Sequence, residues 1–128
     1  MPLEHIIFSS ESGSAVYSDM VIVDGRKLCL SGLIAMDLES GEERYGTVTE
    51  ETRLILENLA VLLERYGSDM DHVVKTTVLL SDFSERDEMN VEYVRHFKPD
   101  HLPARLCFGN VGLHGKCKVE IAVDAVKI

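Results

Sequence analysis

Residues 49–66, TEETRLILENLAVLLERY, followed at residues 73–80 by VVKTTVLL, decide the fold. In the first stretch apolar side chains recur every three or four residues, which is the spacing of one helix face. The second stretch is short and rich in β-branched residues, which favours a strand. Thr49 can cap the helix at its start, and Gly67 can end it. The pair therefore predicts a helix over 49–66 and a strand over 73–80.

Further strands and one further helix are predicted on both sides of this pair. Asp24-Gly25 is a two-residue hairpin signal between two apolar runs. Ser84 to Asp87 resembles a capping box, and Pro99 ends the helical stripe that follows it. The strand candidates are residues 4–8, 20–23, 28–30, 104–111 and 118–126, and the second helix covers residues 84–97.

The predicted order is β-β-β-α-β-α-β-β, an α+β sheet with its helices on one face. Residues 118–126 alternate, with Val119, Ile121, Val123 and Ala125 on one side of the strand. Two helices cover only one face of such a sheet, so we expect the other face to be buried against another copy of the chain. The length of 128 residues fits a single domain over residues 1–128.

Composition narrows the class of protein. The formal net charge of −9 works against binding to nucleic acid, which depends on Lys and Arg. No apolar run is long enough to span a bilayer, and the N-terminus has no pattern of a secretory signal. The cysteines are three, Cys29, Cys107 and Cys117, and an odd number without a signal is typical of reduced thiols. We therefore expect a cytoplasmic protein without a membrane or nucleic-acid partner.

Arg105-Leu106-Cys107 and Glu120 are the candidate site. A guanidinium grips a carboxylate in a bidentate manner, and a carboxylate near it can orient water or move a proton. Arg105 and Glu120 fall on successive strand candidates, which we expect to be neighbours. The alternative is a structural ion pair between those strands, and spacing by itself favours that alternative.

Other chemistry has weaker support. His114 and Cys117 are three residues apart, but no second ligand pair accompanies them, so we expect no metal. The glycine-rich residues 109–115 join two strands and open no helix, which predicts a hairpin and not a phosphate-binding loop. No motif indicates a cofactor.

Five segments in order resemble the Rid family, also called the YjgF or L-PSP type. The most specific is Pro-Ala-Arg-x-Cys at residues 103–107, with Glu120 thirteen residues after the cysteine. The others are Leu28 to Gly32, Val74 to Val78, the pattern Asn90-x-x-Tyr93-x-x-x-Phe97, and Val119 to Ile121. The resemblance covers nearly the whole chain.

This resemblance implies a chorismate-mutase-like fold with a mixed six-stranded sheet, and a homotrimer with clefts between subunits. It implies hydrolysis of reactive 2-enamine or 2-imino acids to 2-oxo acids and ammonia. Arg105 matches the family arginine that grips the substrate carboxylate, and Glu120 matches the glutamate beside the catalytic water. Cys107 matches the family cysteine whose backbone faces the substrate, Ser31 the serine of the Ser-Gly turn, and Tyr17 a tyrosine near the N-terminus. The resemblance implies that these three residues bind the substrate.

Departures from the family pattern concern the pocket. Leu33 and Asp19 stand where glutamine is frequent, and Leu106 stands where serine is frequent. A Leu-Pro pair of the family is Leu113-His114 here. These changes alter pocket polarity and size, so they bear on the choice of substrate more than on the reaction.

The sequence leaves two other functions open. The first is a non-catalytic regulatory trimer in which Arg105 captures 2-oxo acids without turnover. The second is an endoribonuclease, which the acidic charge and the lack of a basic, aromatic-lined groove count against.

Overall fold

One six-stranded sheet organises the chain, in a computed structural model that describes residues 2–8 and 16–128. The sheet order is β1-β2-β3-β6-β4-β5, and β4 and β5 are parallel while the other pairs are antiparallel. The strands are β1 (Leu3–Ile6), β2 (Met20–Val23), β3 (Lys27–Leu33), β4 (Val73–Leu80), β5 (Ala104–Phe108) and β6 (Val119–Val126). The helices are α1 (Val48–Arg65) and α2 (Arg86–Tyr93). The α+β order and the mixed sheet predicted from the sequence are confirmed.

Helix α1 begins earlier than the sequence suggested. The cap is Thr47, whose hydroxyl accepts from the Glu50 amide at 3.1 Å, while the Glu50 carboxylate accepts from the Thr47 amide at 2.9 Å. The assignment of the cap to Thr49 was therefore wrong, because the two reciprocal hydrogen bonds between Thr47 and Glu50 place the N-cap at Thr47. Gly67 has a φ of 81°, which suits the predicted end of the helix.

The second predicted helix is three consecutive pieces. Turns of 3₁₀ helix at Phe83–Glu85 and Val94–His96 flank α2. The proposed capping box is wrong: the cap is Asp82, which accepts from the Ser84 amide and hydroxyl. The Asp82 carboxylate accepts from the amide two residues later and forms a tight turn. The helical segment therefore starts at Phe83, one residue before the predicted start.

The hairpin between β2 and β3 follows its signal. Asp24 and Gly25 have φ of 53° and 64°, and the Arg26 amide donates to the Val23 carbonyl at 3.0 Å. Positive φ at both central residues is what a hairpin matched to strand twist requires. Strand β3, in contrast, continues through Ser31-Gly32 to Leu33 instead of ending there, with a change of register between Leu30 and Leu33.

The two faces of the sheet differ sharply. Toward the helices, β6 contributes the four predicted side chains, and all are at most 1% exposed. The other face, here called the open face, has no helix against it among the described residues. It carries the half-buried or exposed side chains Cys29, Thr77, Leu79, Leu106, Phe108, Glu120, Ala122 and Asp124.

Candidate functional site

Arg105 lies on β5, the edge strand, and is held by uncharged groups. Its Nη1 donates to the Asn90 side-chain oxygen at 2.8 Å. Its guanidinium carbon stands 4.9 Å from the centre of the Tyr93 ring. Within residues 2–8 and 16–128 no carboxylate forms an ion pair with Arg105. The positive charge is thus oriented without being neutralised.

Tyr93 is fixed in turn by a strand residue. Its hydroxyl forms a 2.7 Å hydrogen bond with Thr76 Oγ1, and both side chains are buried. Burial raises the pKa of Tyr93, while the hydrogen bond to Thr76 and the charge of Arg105 act in the opposite direction. The phenol therefore stays neutral at physiological pH, and its ring presents an uncharged support to the guanidinium.

Cys107 shares the helix-side face of β5 with Arg105. It is opposite Val78 in the parallel register, as Arg105 is opposite Thr76. The thiol is free, half-buried, and packed against the hydrophobic core. The Cys107 side chain therefore contributes to the core, and its backbone lies two residues along β5 from Arg105.

Glu120 lies against Gly32, on the neighbouring strand β3. A Cβ at position 32 would overlap the Glu120 carboxylate and would lie 2.8 Å from its Cδ. Gly32 sits where the β3–β6 register shifts, so the bulge and the absent side chain together make room for the acid. The glycine of the Ser-Gly pair therefore leaves the Glu120 carboxylate the space that it occupies.

Ser31 ties the segment that carries Tyr17 to β3. Its hydroxyl donates to the Ser18 carbonyl at 2.7 Å, and its amide donates to the Asp19 carbonyl at 2.9 Å. Tyr17, directly before Ser18, is 67% exposed. The C-terminal end of β3 therefore connects three of the predicted site residues. Ser31 lies on it, Tyr17 precedes the residue that Ser31 binds, and Glu120 packs against Gly32.

Arg105 and Glu120 are not on neighbouring strands, as we had expected from their order. Strand β4 lies between β5 and β6. On β4, Arg105 is opposite Thr76, whereas Glu120 is opposite Leu79. Residues three apart on a strand point to opposite faces, so the guanidinium is on the helix side and the carboxylate is on the open face. This geometry excludes the simple ion pair between adjacent strands.

Three carboxylates lie near Cys117, two residues before β6. Burial and the carboxylates of Glu51, Glu43 and Glu120 raise the pKa of the Cys117 thiol. Glu51 is 1% exposed and accepts from the Lys118 amide at 2.9 Å and from the Gly46 amide at 3.1 Å. These bonds fix the chain immediately before the strand that carries Glu120.

The departures from the family pattern have defined places. The Asp19 carboxylate accepts from the Phe8 amide at 2.8 Å, and Leu33 packs against the core. Leu106 is 47% exposed on the open face, away from Arg105 in its own chain. His114 is exposed, and its Nε2 lies 2.7 Å from Glu43 Oε1.

The described part of the chain contains neither a cluster of metal ligands nor a helix that could span a membrane. No group of three or more His, Cys, Asp or Glu side chains there is placed to hold a metal ion. No helix in these ranges combines the length and hydropathy needed to cross a bilayer.

A family model described as Endoribonuclease L-PSP matches residues 9–127. The chain belongs to this L-PSP family. Curated relatives in the L-PSP family include the 2-iminobutanoate/2-iminopropanoate deaminases of Homo sapiens, 35% identical, and Rattus norvegicus, 37% identical. Each alignment covers 98% of this chain and 91% of the relative. A 36% identical relative in Drosophila melanogaster is named RutC family protein UK114, over 88% of this chain and 80% of that protein.

Solved L-PSP-type structures share the fold. Yeast Mmf1 superposes with a TM-score of 0.85 at 26% identity, covering 99% of this chain and all of that one. A putative endoribonuclease from Thermotoga maritima gives a TM-score of 0.81 at 34% identity, with 98% of both chains covered. The resemblance to Rid proteins that the sequence indicated is therefore confirmed.

Two residues beside Arg105 were not among the predicted site residues. Asn90 and Tyr93 belong to the family pattern, but neither of them was predicted from the sequence to have a role in the site. Their separation of three residues places them on one helix face, which was the available signal. Which strand that face meets depends on the packing of α2, and the spacing does not reveal it.

Proposed function

We propose that the protein hydrolyses reactive 2-imino acids, formed from 2-enamine acids such as 2-aminoacrylate, to 2-oxo acids and ammonia. The observation that carries the proposal is Arg105, an oriented cation whose only described partners are neutral. A guanidinium left in that state matches the carboxylate of a small acid in a bidentate grip. The name carried by the mammalian relatives supports the same reaction class.

Glu120 has the second role in the proposed reaction, which is to hold the attacking water. Its carboxylate forms no ion pair among the described residues and sits over a glycine that leaves it space. In the proposed reaction a water molecule held by Glu120 adds to the imine carbon. One of its protons passes to the nitrogen, which gives a carbinolamine. The hydroxyl proton then passes to the same nitrogen, the carbon–nitrogen bond breaks, and ammonia leaves as the 2-oxo group forms. Cys107, Ser31 and Tyr17 would line the pocket.

The site is proposed to need two copies of the chain. Arg105 and Glu120 are on opposite faces of the sheet and two strands apart, which is roughly 10 Å across the strands. A small acid of a few ångströms cannot reach both side chains within one chain. Clefts between the subunits of a homotrimer would bring the Arg105 side of one copy to the Glu120 side of another.

The test generates 2-aminoacrylate with a dehydratase and follows imine loss with and without the protein. Arg105→Ala is expected to abolish the acceleration, because it removes the guanidinium proposed to hold the carboxylate. The matched control is Arg95→Ala, which removes an arginine that is 69% exposed and 3.6 Å from Glu92. Equal activity of Arg105→Ala and the parent would refute the assignment.

The same preparations separate the alternatives. Binding of 2-oxobutyrate that depends on Arg105, without imine hydrolysis, would identify a non-catalytic binding protein. RNA cleavage that survives purification and is lost in Arg105→Ala would identify a nuclease.

A further inference from the structure

Asp19 connects three parts of the chain around Tyr17. Its carboxylate accepts from the Phe8 amide at 2.8 Å, and its own amide donates to the Ile6 carbonyl at 2.8 Å. Its carbonyl accepts from the Ser31 amide at 2.9 Å. The residue thus joins β1, β3 and the segment that begins β2 through its backbone and side chain together.

Ser31 completes this arrangement on the side of Glu120. Its hydroxyl holds the Ser18 carbonyl at 2.7 Å, and the next residue, Gly32, lies against the Glu120 carboxylate. Tyr17 immediately precedes Ser18, and two thirds of its surface is exposed. The bonds at residues 18 and 19 consequently fix where the Tyr17 backbone lies relative to Glu120.

We propose that Asp19 is a positioning residue that holds Tyr17 beside the Glu120 side of the site. The inference rests on the proposed function and names a residue that does not touch the substrate itself. A carboxylate that accepts from a backbone amide forms a charge-assisted bond, which is stronger than a neutral one. Asparagine keeps an oxygen at the same distance from the backbone, whereas alanine has no acceptor.

The expected kinetic result separates binding from chemistry. In imine hydrolysis, Asp19→Ala should raise KM about tenfold with kcat within about twofold, since a bond of this kind contributes a factor of that order. Asp19→Asn should restore KM to within about threefold of the parent value, because its side-chain oxygen can accept the same amide. The control is Asp69→Ala, which removes a carboxylate that caps the His72 amide before β4, at the other end of the sheet.

A double-mutant cycle tests whether Asp19 acts through Tyr17. In a Tyr17→Ala background, Asp19→Ala should change kcat/KM by less than about twofold, because the side chain it positions is absent. Additive effects of the two changes would overturn the proposal, and so would failure of Asp19→Asn to restore KM. Equal KM values for Asp19→Ala and the parent would overturn it as well.

Hydrogen exchange gives a readout that is independent of activity. The Phe8 amide should be protected in the parent and in Asp19→Asn, and it should exchange at least tenfold faster in Asp19→Ala. An unprotected Phe8 amide in the parent would overturn the proposal. Protection that depends on Asp19 in a protein without imine hydrolysis would refute the proposed function and this role in it, while showing that the hydrogen bond exists.

Discussion

At the scale of single residues, the proposed site depends on what surrounds each charged group. Arg105 is oriented by an amide oxygen and an aromatic ring, and both leave its charge available. Glu120 has room because its neighbour on β3 has no side chain. Neutral support and empty space are properties of the neighbours, so the charged residues by themselves do not disclose them.

Gly32→Ala tests the space beneath Glu120. The added methyl group would overlap the carboxylate, which is the flexible end of a side chain and can rotate away. We expect imine hydrolysis to fall at least about tenfold, since small displacements of a catalytic group cost that much, while the melting temperature changes little. The control is Gly112→Ala, where a Cβ would meet nothing within 4 Å. Unchanged kcat/KM in Gly32→Ala would contradict this account.

At the scale of elements, buried carboxylates join pieces that the sequence pattern treats separately. Glu92 on α2 is 3% exposed and accepts from Arg53 on α1 at 3.1 Å and from His96 at 2.7 Å. Glu51 joins α1 to the start of β6. Helix packing in this protein therefore combines an apolar core with fully satisfied acids.

Glu92→Gln should change how stability depends on pH. Burial by itself raises the pKa of Glu92, but the hydrogen bonds from His96 and Arg53 outweigh it, so the folded-state pKa lies below its ordinary value. The ionised pair then stabilises the fold above the unfolded pKa of about 4.3, and this contribution is lost as pH falls through the lower folded value.

Denaturant titrations at several pH values measure this effect. At pH 7 we expect Glu92→Gln to lower the free energy of unfolding by about 2 kcal/mol, a value reduced because Arg53 is partly exposed. The difference from the parent should shrink between about pH 5 and pH 3. Glu88→Gln, a change at an exposed position of the same helix, is the control. A difference that stays constant with pH would contradict the prediction.

Thr47→Ala tests the true start of α1. Loss of the capping hydroxyl should lower the free energy of unfolding by about 1 kcal/mol. Thr49 is the second residue of the helix, and its hydroxyl does not cap the N-terminus, so Thr49→Ala should have a much smaller effect. Chemical denaturation of both variants measures the difference, and a larger loss in Thr49→Ala would restore the earlier cap assignment.

At the scale of the whole molecule, the sheet separates the two halves of the proposed site. The helices cover one face, with Arg105 at its edge, while Glu120 is on the open face. The open face also presents Leu106 and Phe108, which are about half exposed, at 47% and 51%. Apolar side chains on an uncovered sheet face are typical of an interface, and this supports the proposed subunit contact.

Subunit mixing tests the two-copy site. Arg105→Ala and Glu120→Gln should each be inactive when refolded alone. Refolded together in equal amounts, they should recover roughly a quarter of the parent activity, because one site in four pairs an intact arginine from one copy with an intact glutamate from another. No recovered activity in mixed assemblies would place each site within a single chain and refute the shared site.

The order of elements followed from local patterns. Apolar spacing identified α1, the run of β-branched residues identified β4 with its observed bounds, and Asp24-Gly25 identified a hairpin. These features depend on residues that are close together in the chain, so they can be predicted from the sequence. The ends of α1 and α2 were harder, because several Thr, Ser and Asp residues compete for each cap and only the formed hydrogen bonds select one.

The sequence by itself determined the α+β order, the core face of β6, and Arg105 and Glu120 as the groups to consider. Only the tertiary structure decided that β4 separates them, that they face opposite sides, and that Asn90 and Tyr93 support the arginine. Periodicity reports the direction of a side chain relative to its own strand or helix. Which element lies beside that strand, and which side chains meet there, is set by contacts between residues far apart in the chain.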